Sequence, residues 1–292
     1  MTKRPIITEE EIAVYERDGF VHLKGILEPE WVSLIGTTID RMFGEENGTL
    51  ANVDIVSFAG QLLETTGAKP LLDGDDRTEP KSRTWISSDN HHRVPEIARL
   101  CRESSLPAIA AQLFRAKKIN LMLDQMFKKE PGSRVRTAFH QDEPYFHAEG
   151  EQCASFWIPA ERVDAENGVM GYVPGSHRWE TCQPNLVISQ EPIPGSEGKL
   201  LPDIESDESG FGVVYCDAEP GDVIVHHYRT AHGSTGNTSA TRCRRAAAIR
   251  YGGDDMRYRF KSAAPPDSTT SAALEDGDEL DSVEFPVVWM EP

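Results

Sequence analysis

From residue 118 onward the chain is cut into short apolar runs by turn signals, and this rhythm restricts the possible folds more than any other feature. The runs are "KINLMLDQMFKK", "VRTAFHQD", "CASFWIP", "GVMGYVP", "GVVY", "DVIVHHY" and "RRAAAIRY". Between them stand "EPGS", "ENG", "PGSH", "EPGD" and "GSTGN". Short strands broken in this way close into a sandwich or barrel. Upstream the period changes. "TEEE" at 8–11 is a capping box, with Thr8 as cap and Glu11 reaching back, and Gly19 stops the helix it opens. A short strand is expected over 20–25. "EPEWVSLIGTTIDRMF" puts Pro29 in a first turn and Trp31, Ile35, Ile39 and Met42 on one helical face. Helical spacing returns near 95–103 and 106–115, whereas 46–93 is irregular and rich in Gly, Asp and Ser. The expected class is α+β, with helices buttressing a β-sandwich. One domain is expected over 1–292: a helical buttress mainly in 1–117, a core over about 118–260 and a C-terminal extension over 261–292. The acidic stretch 203–208 and the segment 262–282 read as surface loops.

Charge narrows the partners. Lys and Arg number 30 against 48 Asp and Glu, a formal net charge of −18. Nucleic-acid binding needs a basic stripe, and adhesion to anionic membranes needs basic clusters. Neither partner is expected. No segment approaches the roughly 20 apolar residues of a membrane span, and the N-terminus has no apolar run that could act as a signal peptide. Cys101, Cys153, Cys182, Cys216 and Cys243 are scattered and form no CxxC pair. Free thiols in a reducing, cytoplasmic setting follow.

"TAFHQDEPYFH" at 137–147 carries the chemistry. Residues i and i+2 of a strand share a face, so His140 and Asp142 can present an imidazole and a carboxylate together at a strand end. Two His and one carboxylate leave open positions on Fe(II) for a co-substrate and O2. The second His must come from a distant strand, and the candidates are His226, His227 and His232. His226 and His227 lie inside an apolar run, while His232 stands before a Gly-rich turn where it can close over a sandwich mouth. His147, His177, His226 and His227 read as hydrogen-bonded structural residues, and His91 and His92 as loop residues. In "TRCRRAAAIRY", Arg244, Ala246, Ala248 and Arg250 share one strand face and Arg245 takes the other. Small alanines beside Arg244 leave room for a ligand whose carboxylate a guanidinium can grip through two parallel hydrogen bonds. Arg242 reads as a solvated basic edge.

"LDQMFKKEPGS", "FHQDEPYF", "AENGVMGYVPGSHRW", "EPGDVIVHH", "HGSTGN" and "RCRRAAAIRY", in that order, resemble the phytanoyl-CoA dioxygenase family. "YERDGFVHLKGIL" and "FPVVW" extend the likeness to both ends. The resemblance implies a double-stranded β-helix, a jelly-roll of cupin-like form, and an Fe(II)/2-oxoglutarate-dependent dioxygenase that consumes O2 and releases succinate and CO2. It implies that His140, Asp142 and His232 hold iron. It implies that an arginine about eleven residues beyond the distal His binds the far carboxylate of 2-oxoglutarate. That spacing lands on Cys243, so the "RRA" text selects Arg244 instead. Gln125, Thr137 and Trp157 match positions that line the co-substrate pocket. Related halogenating enzymes carry a small residue in place of the carboxylate, so Asp142 favours oxygenation, most simply hydroxylation of a small organic substrate. Phe58, Leu62, Leu63 and Trp85 read either as a lid over an apolar substrate or as cover for the sandwich. A zinc hydrolase using the same His2Asp set, a non-catalytic small-molecule binder and a structural interaction protein are the competing classes.

Overall fold

The computed structural model describes residues 6–44, 53–55, 63–73, 83–262, 264 and 269–291. Helix α1 (Glu9–Asp18) carries the capping box and ends on Gly19 in the left-handed conformation, φ 80°. Strand β1 (Phe20–Leu23) and helix α2 (Pro29–Gly44) follow, with Trp31, Ile35, Ile39 and Met42 all buried. Then come β2 (Val53–Asp54), β3 (Thr84–Ser88), α3 (Pro95–Glu103) and α4 (Leu106–Phe114).

The core strands are β4 (Lys118–Lys129), β5 (Thr137–His140), β6 (Ala148–Glu149), β7 (Cys153–Pro159), β8 (Met170–Tyr172) and β9 (Val214–Cys216). They continue with β10 (Val223–His227), β11 (His232–Ser234), β12 (Arg244–Gly252), β13 (Arg257–Tyr258) and β14 (Val287–Met290). The major sheet runs β1-β10-β7-β12-β4-β3-β2, with β14 also paired to β4. The minor sheet runs β5-β11-β8-β9. Trp157, Ile224, Ala246 and Ala248 of the major sheet meet Met170, Tyr172 and Cys216 of the minor one in an inner core. The helices pack on the outer face of the major sheet, where Ile35, Ile39, Ile97 and Ile109 join Phe156, Ile158, Ile249 and Tyr251. Alternation along each strand thus feeds two different cores.

Several sequence expectations need correction. Residues 84–88 form strand β3, laid against β4 in antiparallel register, although 46–93 reads as irregular. Its "TWISS" lacks alternation because both faces are only partly covered. The acidic stretch is a loop with Asp203, Ser206 and Asp207 exposed, as expected, but Ile204 anchors it in the core and Glu205 and Glu208 pair with Arg136. The described part of 262–282 is more than a surface loop, since Thr269 and Leu280 are buried. Trp85 is no lid. It aligns with Lys128, which aligns with Arg245, on the outer face, and its ring lies 6.0 Å from Phe43. Leu63 is buried with Ile55, Val135, Leu186 and Ile188 in a small satellite core. Phe58 and Leu62 lie outside the described residues.

Candidate metal centre

His140 ends β5 and His232 opens β11, and antiparallel pairing sets the two directly opposite each other. Their rings lie 4.3 Å apart. Asp142 reaches the same place by a different route from the strand alternation the sequence suggests. It lies beyond the strand, in right-handed helical conformation, at the head of a short 3-10 turn over Glu143–Tyr145. The backbone N–H groups of Asp142 and Glu143 both donate to the carbonyl of Tyr228, which bolts this turn to the β10–β11 connection. Asp142 Oδ1 then stands 3.7 Å from His140 Nε2 and 3.9 Å from His232 Nε2.

The ring orientations suit ligation. His140 Nδ1 lies 2.8 Å from the Ala138 carbonyl, and His232 Nδ1 lies 2.9 Å from the Thr230 carbonyl. Each Nδ1–H is thereby engaged with backbone, which leaves the Nε2 lone pair free to bind a cation. Burial pushes the His232 imidazole well below its ordinary pKa, and the neighbouring His226 and His140 add to this. Neutral imidazole is the form that binds metal. Burial alone would raise the Asp142 carboxyl, but the Arg250 guanidinium 3.5 Å away, with His140 and His226, holds it well below the usual carboxylate range. The three ligand atoms fall within 4.8 Å of one another and all three residues are buried. Two imidazoles and one carboxylate around a common point fit a divalent transition ion.

The inward-facing row beside this cluster is built by register. Arg244 aligns with Lys129, Ala246 with Phe127, and Ala248 with both Gln125 and Trp157. Aligned residues share a face, so the arginine, the alanines, Gln125 and Trp157 all point into the sandwich. The Arg244 guanidinium is 5.5 Å from the Trp157 ring and donates to Ser234 Oγ at 3.4 Å. Ser234 Oγ also donates to Thr137 Oγ1 at 3.0 Å. Gln125 Nε2 donates to Ser88 Oγ at 3.1 Å, one row further along. Arg244 is 3 % exposed, its Nε has no partner, and it makes no ion pair among the described residues. Burial pulls its pKa down to about 10. Arg245, by contrast, faces outward and pairs with Glu161 and Asp40. Arg242 pairs with Asp164 and Glu166 at the surface.

Three participants escape a reading of the sequence. His226 is more than a structural residue: neither ring nitrogen makes a hydrogen bond within 3.5 Å among the described residues, its Nε2 stands 3.7 Å from Asp142 Oδ2, and its ring is 4.1 Å from that of His232. Arg250 turns to Asp142. Lys129 is buried, with Nζ donating to Ser234 Oγ and to the carbonyls of Val135 and Thr235. The face-sharing of Arg244 and Arg250 is readable from alternation, but the carboxylate that Arg250 meets is 108 residues away in the chain. His227 and His147 are structural as expected, with His227 Nε2 on the Glu151 carbonyl and His147 Nδ1 accepting from the Lys261 backbone.

Comparison with known proteins bears on the whole chain. The family model described as phytanoyl-CoA dioxygenase matches residues 15–246. The mouse protein named peroxisomal phytanoyl-CoA dioxygenase is 24% identical over 260 residues, which cover 86% of this chain and 70% of the relative. The epimerase SnoN from nogalamycin biosynthesis, solved with Fe3+, alpha ketoglutarate and nogalamycin RO, matches with a TM-score of 0.69 and 22% identity over 96% of this chain and 98% of its own. EctD from S. alaskensis, solved with 2-oxoglutarate and 5-hydroxyectoine, gives 0.61 and 20% over 96% and 87%. These structures share the double-stranded β-helix. The family match spans most of the sequence, from α1 through the start of β12, and the chain belongs to the phytanoyl-CoA dioxygenase family of Fe(II)/2-oxoglutarate-dependent oxygenases.

Proposed function

We propose that the protein hydroxylates a small organic substrate, with His140, Asp142 and His232 holding Fe(II) and Arg244 gripping 2-oxoglutarate. The observation that carries this reading is the buried, unpaired Arg244 guanidinium. An ionised group out of water without a counter-charge is strongly disfavoured. The sandwich tolerates one here where a ligand anion can supply the missing charge. His232 and Ser234 lie two residues apart on β11, a rise of roughly 7 Å. A five-carbon diacid held at the metal by its keto-acid end would be long enough to offer its far carboxylate to Arg244. A zinc hydrolase using the same triad has no use for such an arginine.

Bound iron supplies oxidation of the substrate coupled to decarboxylation of the co-substrate. The protein's own residues do the positioning. His140, Asp142 and His232 would hold the ion through three donors and leave part of its surface open for the co-substrate. Arg250 and the two backbone N–H bonds to Tyr228 fix the Asp142 carboxylate, so its reach toward the metal is set before anything binds. The Trp157 ring lies 5.5 Å from the Arg244 guanidinium and both are buried, and a dry setting strengthens a carboxylate pair. Phe127, Ala246 and Ala248 make the inner face between the two ends apolar. A small-molecule substrate accords with the ligands seen in the SnoN and EctD structures.

The direct test is anaerobic addition of Fe(II) and 2-oxoglutarate, followed by succinate release on admitting O2. A weak visible charge-transfer band is expected from wild type. It should be absent from His140→Ala and His232→Ala and retained by His226→Ala. A band that survives His232→Ala but not His226→Ala would overturn the assignment of the distal ligand.

A further inference from the structure

A second cluster of imidazoles and carboxylate lies on the other side of the major sheet. Asp89, His91 and His92 bring a carboxylate oxygen and two ring nitrogens within 4.8 Å of one another. They sit where β3 passes through a 3-10 turn over Asn90–His92 into α3. This turn is anchored by Asp124 of β4, which is fully buried. Asp124 Oδ1 accepts from the backbone and side-chain N–H groups of Asn90 at 3.0 and 2.9 Å. Its Oδ2 accepts from the His91 backbone N–H at 3.0 Å and lies 2.7 Å from His91 Nδ1. Asp124 aligns with Ile249, whose side chain belongs to the helix-side core, so the cluster lies behind the sheet from His140, Asp142 and His232.

Two buried atoms of this cluster lack any hydrogen-bond partner among the described residues: His91 Nε2 and Asp89 Oδ1. The His91 side chain is only 3 % exposed. Buried polar atoms are almost always paired, and both unpaired ones belong to residues of this cluster. With Nδ1–H donating to Asp124, His91 Nε2 is left without a hydrogen-bond partner among the described residues. A carboxylate behind an imidazole is the usual way a protein orients and strengthens a metal-binding histidine. The His92 ring lies 3.8 Å from that of His91, and Asp89 adopts the left-handed conformation, φ 59°, that Asp tolerates better than most residues. We propose that Asp89, His91 and His92 form a second metal site, distinct from the iron centre, for a divalent transition ion of the zinc class. The imidazole donors select such an ion over Ca2+ or Mg2+, which take oxygen ligands. A bound ion would pin the β3–α3 junction to β4.

The test is titration of the chelator-stripped chain with Co2+, followed by its visible d–d absorption, with Zn2+ displacement as a second readout. Wild type is expected to take up two equivalents. In a His140→Ala/His232→Ala background one saturable equivalent remains, and Zn2+ raises the melting temperature of that variant. Adding His92→Ala, which alters only an exposed ring, weakens the remaining binding at least about tenfold. Adding Asp89→Ala as well abolishes it, with circular dichroism confirming the fold. Because the background lacks the iron ligands, the result is independent of whether those residues hold iron. Failure of that background to bind Co2+ saturably would overturn the second site. So would unchanged Co2+ binding after Asp89 and His92 are removed.

Discussion

At the scale of single residues, the neighbouring arginines of β12 show what alternation decides. Arg244 points inward with no counter-ion, and Arg245 points outward to Glu161 and Asp40. A hydrogen bond to a charged group contributes about 1.5–3 kcal/mol. Arg244→Gln should therefore raise the 2-oxoglutarate KM by roughly 10- to 100-fold while Fe(II) still loads. Arg245→Gln removes a half-exposed surface network, worth at most about 1 kcal/mol of stability, and should leave that KM within about twofold. Steady-state succinate assays over a range of 2-oxoglutarate decide between them. Equal effects from the two variants would mean the guanidinium facing inward is not the anchor. Period two put Arg244 and Arg245 on opposite faces, and the small alanines beside Arg244 with the "RRA" text pointed to Arg244 as the inward one. The roles of Arg250 and His226 were not, because nothing local to either residue records that Asp142 folds against it.

At the scale of elements, the turn before β8 controls how close the chain approaches that arginine. Gly168 has φ 100°, and a Cβ there would lie 3.2 Å from Arg244 Nε and 3.3 Å from Lys129 Cδ. Gly221 has a similar φ of 98°, but its Cβ would meet the Leu27 carbonyl at 3.2 Å, at the edge of the major sheet. Both Gly→Ala changes strain the backbone, by about 1–3 kcal/mol, so both should lower the melting temperature. Only Gly168→Ala should also raise the 2-oxoglutarate KM, since it crowds Arg244 and Lys129. If Gly221→Ala shifts the KM equally, the effect is general softening and this local account fails. The helices, their caps and the long strands were readable because each carries its own period or stop signal. Strand β3, in "TWISS", and three-residue β11, in "HGS", were not, since the ladders with β4, β5 and β8 make them strands.

At the scale of the whole molecule, burial of histidines links folding to pH. His227 is packed between α1 and β7, and burial, reinforced by Arg229, pulls its pKa down to about 3. Its folded pKa thus lies below its unfolded value of about 6.5. Above pH 6.5 both states are neutral and the packing is fully present. As pH falls from 6.5 toward 3 the unfolded chain takes up a proton that the folded chain refuses, and stability declines by up to about 1.4 kcal/mol per pH unit. His227→Gln can keep a side-chain donor for the Glu151 carbonyl without titrating. Urea melts between pH 7 and 5 should show a shallower loss for the variant than for wild type, and parallel slopes would remove His227 as the cause. Among the described residues no helix is long and apolar enough to cross a membrane.

The amino-acid sequence by itself determined the layers and the chemical repertoire. Period two from residue 118 dictates stacked sheets, the 3.6 period upstream dictates helices to cover one of them, and "FHQD", "HGSTGN" and "RRAAAIRY" carry imidazole, carboxylate and guanidinium in the amounts a metal and a diacid need. Those properties are local, because they depend on side-chain type and spacing within a few residues. Tertiary structure alone decided which groups meet. Pairing β11 with β5 sets His232 opposite His140, the Tyr228 carbonyl turns Asp142 toward both, and β12 delivers Arg250 to that carboxylate and Arg244 to Ser234. The reason is that register between distant strands is set by the summed packing of two cores, and no short stretch of sequence contains that sum.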